Sequence, residues 1–331
     1  MSNNLFVIIL NFLVDSLTFG AVFMYGSTGE IITEKGGHLN LGIPGIMCMG
    51  GTGGCIALAV LAPVVPPVVL VIAGLLASFL MAALMGVIYS FLTVTLRANQ
   101  NVTGLALTTF GVGLMKVLMS NKNLMKAEVY LVGPKDYFRW PFSLLQRPLQ
   151  DAGLSAVQGL GIMFFMAVAI AIVGSIVLYR TKVGLNLRAV GENPATADAA
   201  GINVTRYRYL STIIGSGIAG LGGFYYIIDY MVSQEAYLSI EALGWLSIAL
   251  VIFVLWRPHM TIPGSFLFGV LFSCSPFLAA LGMNITMAAK PVFKMLPYVV
   301  TVLVLIISSV RNKRENQPPA SLGLNYFREE R

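Results

Sequence analysis

Apolar stretches of membrane-spanning length, separated by short polar connections, set the pattern of the whole chain. They run roughly over residues 5–25, 41–62, 67–96, 103–120, 158–179, 209–228, 244–256, 262–281 and 292–310. Most approach or exceed the ~20 residues with which an α-helix crosses hydrocarbon. None shows the alternation of a barrel strand, so each segment must satisfy its own backbone hydrogen bonds and helices are the predicted elements. The fold class expected is all-α: a polytopic membrane helix bundle of about nine transmembrane helices, with about eight to ten compatible. The third run is long enough to tilt, and the seventh, GWLSIALVIFVLW, is short for a crossing. Residues 1–310 then form one membrane domain. Residues 311–331, RNKRENQPPASLGLNYFREER, form a tail whose polarity and Pro318-Pro319 suggest flexibility.

Composition sharpens this picture. Of the 331 residues 57% are hydrophobic and 11% charged, with a formal net charge of +7. The mean hydropathy is +0.81. Membrane lipid is therefore the solvent, and the excess of Lys and Arg reads as cytoplasmic loops, with no nucleic-acid surface implied. Placing the 180–208 connection inside puts Arg180, Lys182, Arg188, Arg206 and Arg208 there. Alternation adds Lys35, Arg97, Arg257 and the cationic tail, so the N-terminus falls outside and the C-terminus in the cytoplasm. The 121–157 loop, with Lys122, Lys126, Lys135, Arg139 and Arg147, is left outside; long loops weigh less in the rule. The start, MSNNLFVIIL, has no basic residue before its apolar run, which reads as a retained first span. Cys48, Cys55 and Cys274 make no CxxC pair and sit in apolar surroundings, so free thiols are expected.

Candidate chemistry is sparse. GSGIAG, residues 215–220, matches G-x-G-x-x-G but lies inside an apolar run and continues as Leu221-Gly222-Gly223. Small residues at that density let helix backbones approach closely in lipid, which is the expected role. There is no G-x-x-x-x-G-K-[ST] run, no H-E-x-x-H and no credible Ser-His-Asp set, so no catalytic residue, cofactor site or metal site is assigned. His38 and His259 are expected in loops or at the interface. Asp15 lies within the first span and is expected to pair with a neighbour. Asp229, Glu235 and Glu241 are expected as solvated loop near the outer end of the sixth span, and Tyr225, Tyr226, Tyr237 and Trp245 as interfacial anchors. The sequons at Asn101, Asn203 and Asn284 carry no functional weight. Between residues 30 and 54, Asn40, Gly42, Pro44 and Gly45 interrupt a helix where it enters the membrane. Proline removes a donor and glycine loosens the turns, so a functional break lining a cavity is expected.

GENPATADAAGINV, residues 191–204, is a polar island between apolar runs. Asn193 is a good N-cap, Pro194 suits the first helical position and Gly201 suits the left-handed residue that ends a helix. A helix of about seven residues results, too short to stand alone in water, so it must lean on something. A short cytoplasmic helix strung between two spans is what a motor subunit would push.

This stretch resembles the cytoplasmic coupling segment, here 186–206, of ABC importer permeases in the branched-chain amino acid, ribose and nucleoside group. GGHLNLGIPGIMCMGG, RANQNVTGLALTTFG (97–111) and ALVIFVLWRP (249–258) also resemble runs of that family, so the likeness covers nearly the whole chain. It is closest in kind to the shorter permease subunit of nucleoside importers that use a basic-membrane-protein-type lipoprotein. The resemblance implies a bacterial cytoplasmic-membrane protein with a second, different permease, a cytoplasmic ABC ATPase and an extracytoplasmic binding lipoprotein as partners. ATP and Mg would be bound by the ATPase, with no cofactor on this chain. Coupling to the ATPase would then fall to Gly191, Glu192, Asn193, Pro194, Ala197, Ala200 and Gly201. For the substrate passage the expected residues are Asn40, Gly42, Gln100, Thr103 and Trp245, polar groups at a helix break with an aromatic face for a base. Family members often carry an acidic residue where Pro44 stands, so that carboxylate's role is not carried over. The alternatives are a permease for a pentose, hexose or branched-chain amino acid, and a passive channel or facilitator.

Overall fold

The apolar runs become helices in a computed structural model, which describes residues 5–121, 125–126, 130–131, 134–283, 286, 289–311 and 317–327. The long helices are α1 (Leu5–Glu34), α2 (Ile43–Leu61), α3 (Pro67–Ser90) and α4 (Gln100–Met119). Two short ones follow, α5 (Lys135–Phe138) and α6 (Gln146–Asp151), before α7 (Ile162–Arg180). Then come α8 (Lys182–Glu192), α9 (Pro194–Ala199), α10 (Val204–Tyr225), α11 (Ile240–Phe253), α12 (Thr261–Ala280) and α13 (Lys290–Arg311). Among the described residues eight helical segments are long and apolar enough to cross a membrane, and α13 adds the shorter apolar stretch Pro291–Val304. The protein is a multi-pass helical membrane bundle of the expected class.

Small residues decide how the bundle closes. Gly50 on α2 meets the backbone of Gly220 on α10, Gly223 sits on the carbonyl of Met47, and Gly215 rests against that of Gly29 on α1. A side chain at these places would hold the helices apart, and backbone approach of this kind is what packs helices in lipid. The GSGIAG run is therefore a packing seam. On the other side of α2, Gly111 of α4 lies against Gly45, and Gly244 of α11 lies against Pro44. The core beside these seams is aromatic: Phe19 stacks on Phe272 with centroids 4.4 Å apart, and Phe23 meets Phe268 edge-on at 6.0 Å.

Successive spans alternate between two ends. At one end Ser321 is bonded to Gly191 and Asn325 to Arg97, gathering the 35–41, 97–99, 181–203 and 317–327 stretches. At the opposite end Asn11 donates to Gly153 O (2.6 Å) and Arg139 reaches the Asp229 carbonyl (2.5 Å).

Several polar residues sit elsewhere than the pattern suggests. Asp229, expected in solvated loop, is fully buried in an ion pair with Arg139 (3.5 Å) that ties the long loop to the end of α10. Tyr225, expected as an interfacial anchor, is fully buried and donates to Thr18 O at 2.8 Å; Tyr226 is also buried. The glycines just before them draw α1 and α2 close enough to enclose the rings. His38 is also in the interior, with Nδ1 sharing a hydrogen bond with Thr212 Oγ1 (2.9 Å). Asp15 pairs with neighbouring helices: its carboxylate accepts from Tyr230 (3.2 Å) and Ser273 (3.1 Å). Cys48, Cys55 and Cys274 are free thiols.

The tail departs most from its expected flexibility. Residues 317–327 lie against the bundle: Ser321 N and Oγ both donate to Gly191 O (3.0 and 2.6 Å), and Gly323 N donates to Gly37 O (3.3 Å). Its polar groups answer backbone carbonyls that the helix ends leave unpaired. Arg311 closes α13, and the sequon at Asn284 lies outside the described residues.

Candidate functional site

The end that gathers the tail also carries the polar island. Thr181 caps α8, its hydroxyl accepting from Gly184 N at 3.2 Å. Asn193 closes α8 and opens α9, with Oδ1 accepting from Thr196 N at 3.0 Å. Pro194 occupies the first turn, and α9 is six residues long. Gly201 ends it at φ +83°, while Ile202 N bonds back to Ala197 O at 3.0 Å. Asn203 then caps α10 through Arg206 N (2.9 Å). Each turn of chain is placed by its own capping residue, and such a cap is worth about 1 kcal/mol.

A helix this short needs support, and it has a small core of its own. Ala197 is buried with Val190 of α8 and Val204 of α10, flanked by Ile202, Tyr207 and Tyr326. Tyr326 also donates its phenol to Asp198 Oδ2 at 2.8 Å. The candidate coupling residues therefore divide. Gly191 and Ala197 are buried and face inward, Gly191 packed on the Lys35 carbonyl. Glu192, Asn193, Ala200 and Gly201 are exposed and Pro194 is half-buried. The outer face thus presents small side chains on a rigidly backed helix.

Beneath it lies a hydrogen-bonded knot. The chain leaves α1 through Gly37 at φ +85°, then runs extended to α2. Along that run Leu39 N donates to Gln100 Oε1 (2.9 Å), Asn40 N to Glu30 Oε1 (3.1 Å) and Gly42 N to Asn40 Oδ1 (2.9 Å). Tyr89 donates to Leu39 O (2.6 Å), and Thr108 to Leu41 O (2.8 Å). Helix α2 thus begins against the middle of α4 rather than beside its end. Gln100 Nε2 turns to the tail, donating to Leu324 O and Asn325 Oδ1 at 3.4 Å each. Of the candidate passage residues, the structure brings Asn40, Gly42 and Gln100 together in this knot. Thr103 follows on the buried side of α4, and half-exposed Trp245 stands apart on α11, beside the Gly244 that packs on Pro44.

Two acidic residues of the knot were not singled out from the sequence. Glu30 and Glu34 are buried in the last turns of α1, and Glu34 accepts the indole N–H of Trp256. Their spacing of four residues on one helix face was the available signal. His38 lies between the knot and α10. Burial, reinforced by the Arg208 guanidinium, pushes its imidazole well below the usual range, so it is neutral near pH 7. Among the described residues no cluster of three or more His, Cys, Asp or Glu could hold a metal. What the arrangement can do is mechanical: it joins an outward-facing short helix to four spans and the tail.

The sequence profile of a family described as branched-chain amino acid transport system, permease component, matches residues 12–305. The chain belongs to this permease family. The permease is 29% identical to the nucleoside ABC transporter permease protein NupC of Lactococcus lactis subsp. cremoris, over 92% of this chain and 93% of that one. It is 27% identical to the guanosine ABC transporter permease protein NupQ of Bacillus subtilis, over 88% and 89% respectively. TsgC13 of Haloferax volcanii, an ABC transporter permease protein named for glucose, is 28% identical over 97% of this permease and 98% of its own length.

Proposed function

We propose that this permease is one membrane subunit of an ATP-driven importer for nucleosides. It works with a second, different permease, and the two alternate the access of a passage between them. A cytoplasmic ABC ATPase binds ATP and Mg and grips α9, and an extracytoplasmic lipoprotein delivers the solute at the opposite end. The observation that carries this reading is the outward face of α9, capped at Asn193 and Gly201 and backed by Val190, Ala197 and Val204. A passive channel has no use for such a helix. In this reading α9 moves as a rigid lever when the ATPase closes. The end bearing α8 and α9 is then cytoplasmic, the N-terminus lies outside and the C-terminus inside. The nucleoside permeases of Lactococcus and Bacillus support the choice of substrate. A sugar is the second reading, favoured by the Haloferax relative that covers 97% of the permease.

The test is uptake by the assembled transporter in proteoliposomes supplied with internal ATP. Labelled nucleosides are expected to accumulate and unlabelled glucose not to compete. Accumulation of glucose alone would overturn nucleosides in favour of sugar, and equilibration without ATP would overturn the importer itself.

A further inference from the structure

Between α9, the start of α10 and the end of α3 lies a cavity of about 680 Å³. Arg97, Arg206 and Arg208 line it, with the phenols of Tyr209 and Tyr326. Arg208 is only 2% exposed, and its Nε and Nη2 have no hydrogen-bond partner. A buried guanidinium is costly to leave without a counter-charge. Among the described residues none of these three arginines takes part in an ion pair. Arg97 lies over the ring of Phe327, 4.8 Å from its centroid. The one carboxylate on the cavity wall, Asp198, accepts from Tyr326. Three guanidinium-bearing residues against one carboxylate leave the wall of the cavity cationic.

Its surroundings say which kind of ligand suits that wall. Gly201, Asn203, Arg206 and Leu210 also line a neighbouring cavity, which includes Asn186 and Tyr207. Tyr207 and Leu210 in turn line a groove of about 470 Å³ between α7 and α10. That groove is almost purely apolar, walled by Val173, Val177, Val183 and Ile214, all exposed at the bundle surface. The three spaces share lining residues and follow one another around the foot of α10, a path cationic at the polar end and apolar at the other. An inorganic anion would satisfy the first part and leave the second unexplained. A hydrocarbon tail alone would do the reverse.

We propose that an anionic phospholipid lodges in this path, its phosphate held by Arg206, Arg208 and Arg97 and one acyl chain laid between α7 and α10. Bidentate guanidinium–phosphate geometry suits the head, and the tail follows the apolar groove. Because Asp198, Gly201 and Asn203 form part of the wall, the lipid fastens the coupling segment to α3 and α10.

Native mass spectrometry of the purified transporter tests this, after exchange into detergent with either phosphatidylglycerol or phosphatidylcholine. Phosphatidylglycerol is expected to survive delipidation where phosphatidylcholine is lost. Arg206→Gln, at an exposed position, should lower its retention about tenfold, the loss of one charge-assisted hydrogen bond. Ile214→Trp, or Val177→Trp if the first variant does not fold, fills the groove and should also release it. Glycerol 1-phosphate should leave the melting temperature unchanged, whereas phosphatidylglycerol raises it. Equal retention of the two lipids, or wild-type retention by Arg206→Gln, would overturn the proposal. So would a groove-filled variant that keeps its lipid, or stabilisation by glycerol 1-phosphate as large as by phosphatidylglycerol.

Discussion

Removing both ends of α9 at once, in an Asn193→Ala, Gly201→Val double variant, tests whether the ordered short helix carries the stroke. Asn193 supplies the cap that receives Thr196 N, and its loss costs about 1 kcal/mol. Gly201 stands at φ +83°, where an L side chain costs about 1–2 kcal/mol. An added Cβ at Gly201 meets nothing within 4 Å, so that cost is conformational and creates no clash. Together the changes remove about 2–3 kcal/mol from a six-residue helix, shifting its population by a factor of about 30 to 150. Both positions are exposed, so the spans should assemble normally. The assay is ATP hydrolysed per solute imported by the reconstituted transporter. Uptake is expected to fall by about an order of magnitude or more while hydrolysis persists, because the ATPase closes against a lever that no longer transmits. An unchanged ratio at wild-type uptake would show that helical order at 194–199 is irrelevant to coupling.

Four further expectations concern the tail contact, the packing seam and the buried charged or titratable groups. Tyr326→Phe removes the hydroxyl that donates to Asp198, so amide exchange over 193–201 should quicken by mass spectrometry while the spans stay protected. Gly111→Leu puts a Cβ about 2.6 Å from the Gly45 carbonyl and should destabilise by about 1–3 kcal/mol or more in a detergent melt; Gly113→Leu, with open space around it, should be neutral. Arg139→Ala strands the buried Asp229 carboxylate, a loss of about 3–5 kcal/mol, and Arg139→Ala with Asp229→Asn should recover most of it in the same melt. His38 is held neutral by burial, so acidification through its unfolded pKa of about 6.5 should destabilise the wild type relative to His38→Gln by up to about 1.4 kcal/mol per pH unit.

The short helix was legible because its instructions are local. Asn193, Pro194 and Gly201 act on backbone groups within a few residues, and the described helix falls between them. The glycine seam was legible for a similar reason: lipid rewards small residues on a helix wherever the partner comes from. The apolar pattern ends the first span short of Glu34, because Glu30 and Glu34 resemble loop residues. What keeps them helical is remote, since Trp256 and Asn40 donate to their carboxylates from later parts of the chain. The burial of Tyr225 and Asp229 is hidden from the sequence for the same reason. A tyrosine or an aspartate near a span end usually meets water, and only the closeness of α1 and the arrival of Arg139 put these two inside.

The tail shows how the local and the remote combine at one place. Its composition argues for disorder, yet Ser321, Asn325 and Tyr326 each meet a specific partner, at Gly191, Arg97 and Asp198. Those partners belong to the end of α8, the turn after α3 and the short helix itself. A segment that ties all three limits how α9 can move alone: in the proposed coupling, a push on its outer face passes through Ala197 and Gly191 into α10 and the knot below. Under that proposal the inward pair gives stiffness and the outward face an area to grip. Without the tail the same six residues would be hinged at both ends, and a hinge between Asn193 and Gly201 would absorb displacement that a braced helix delivers.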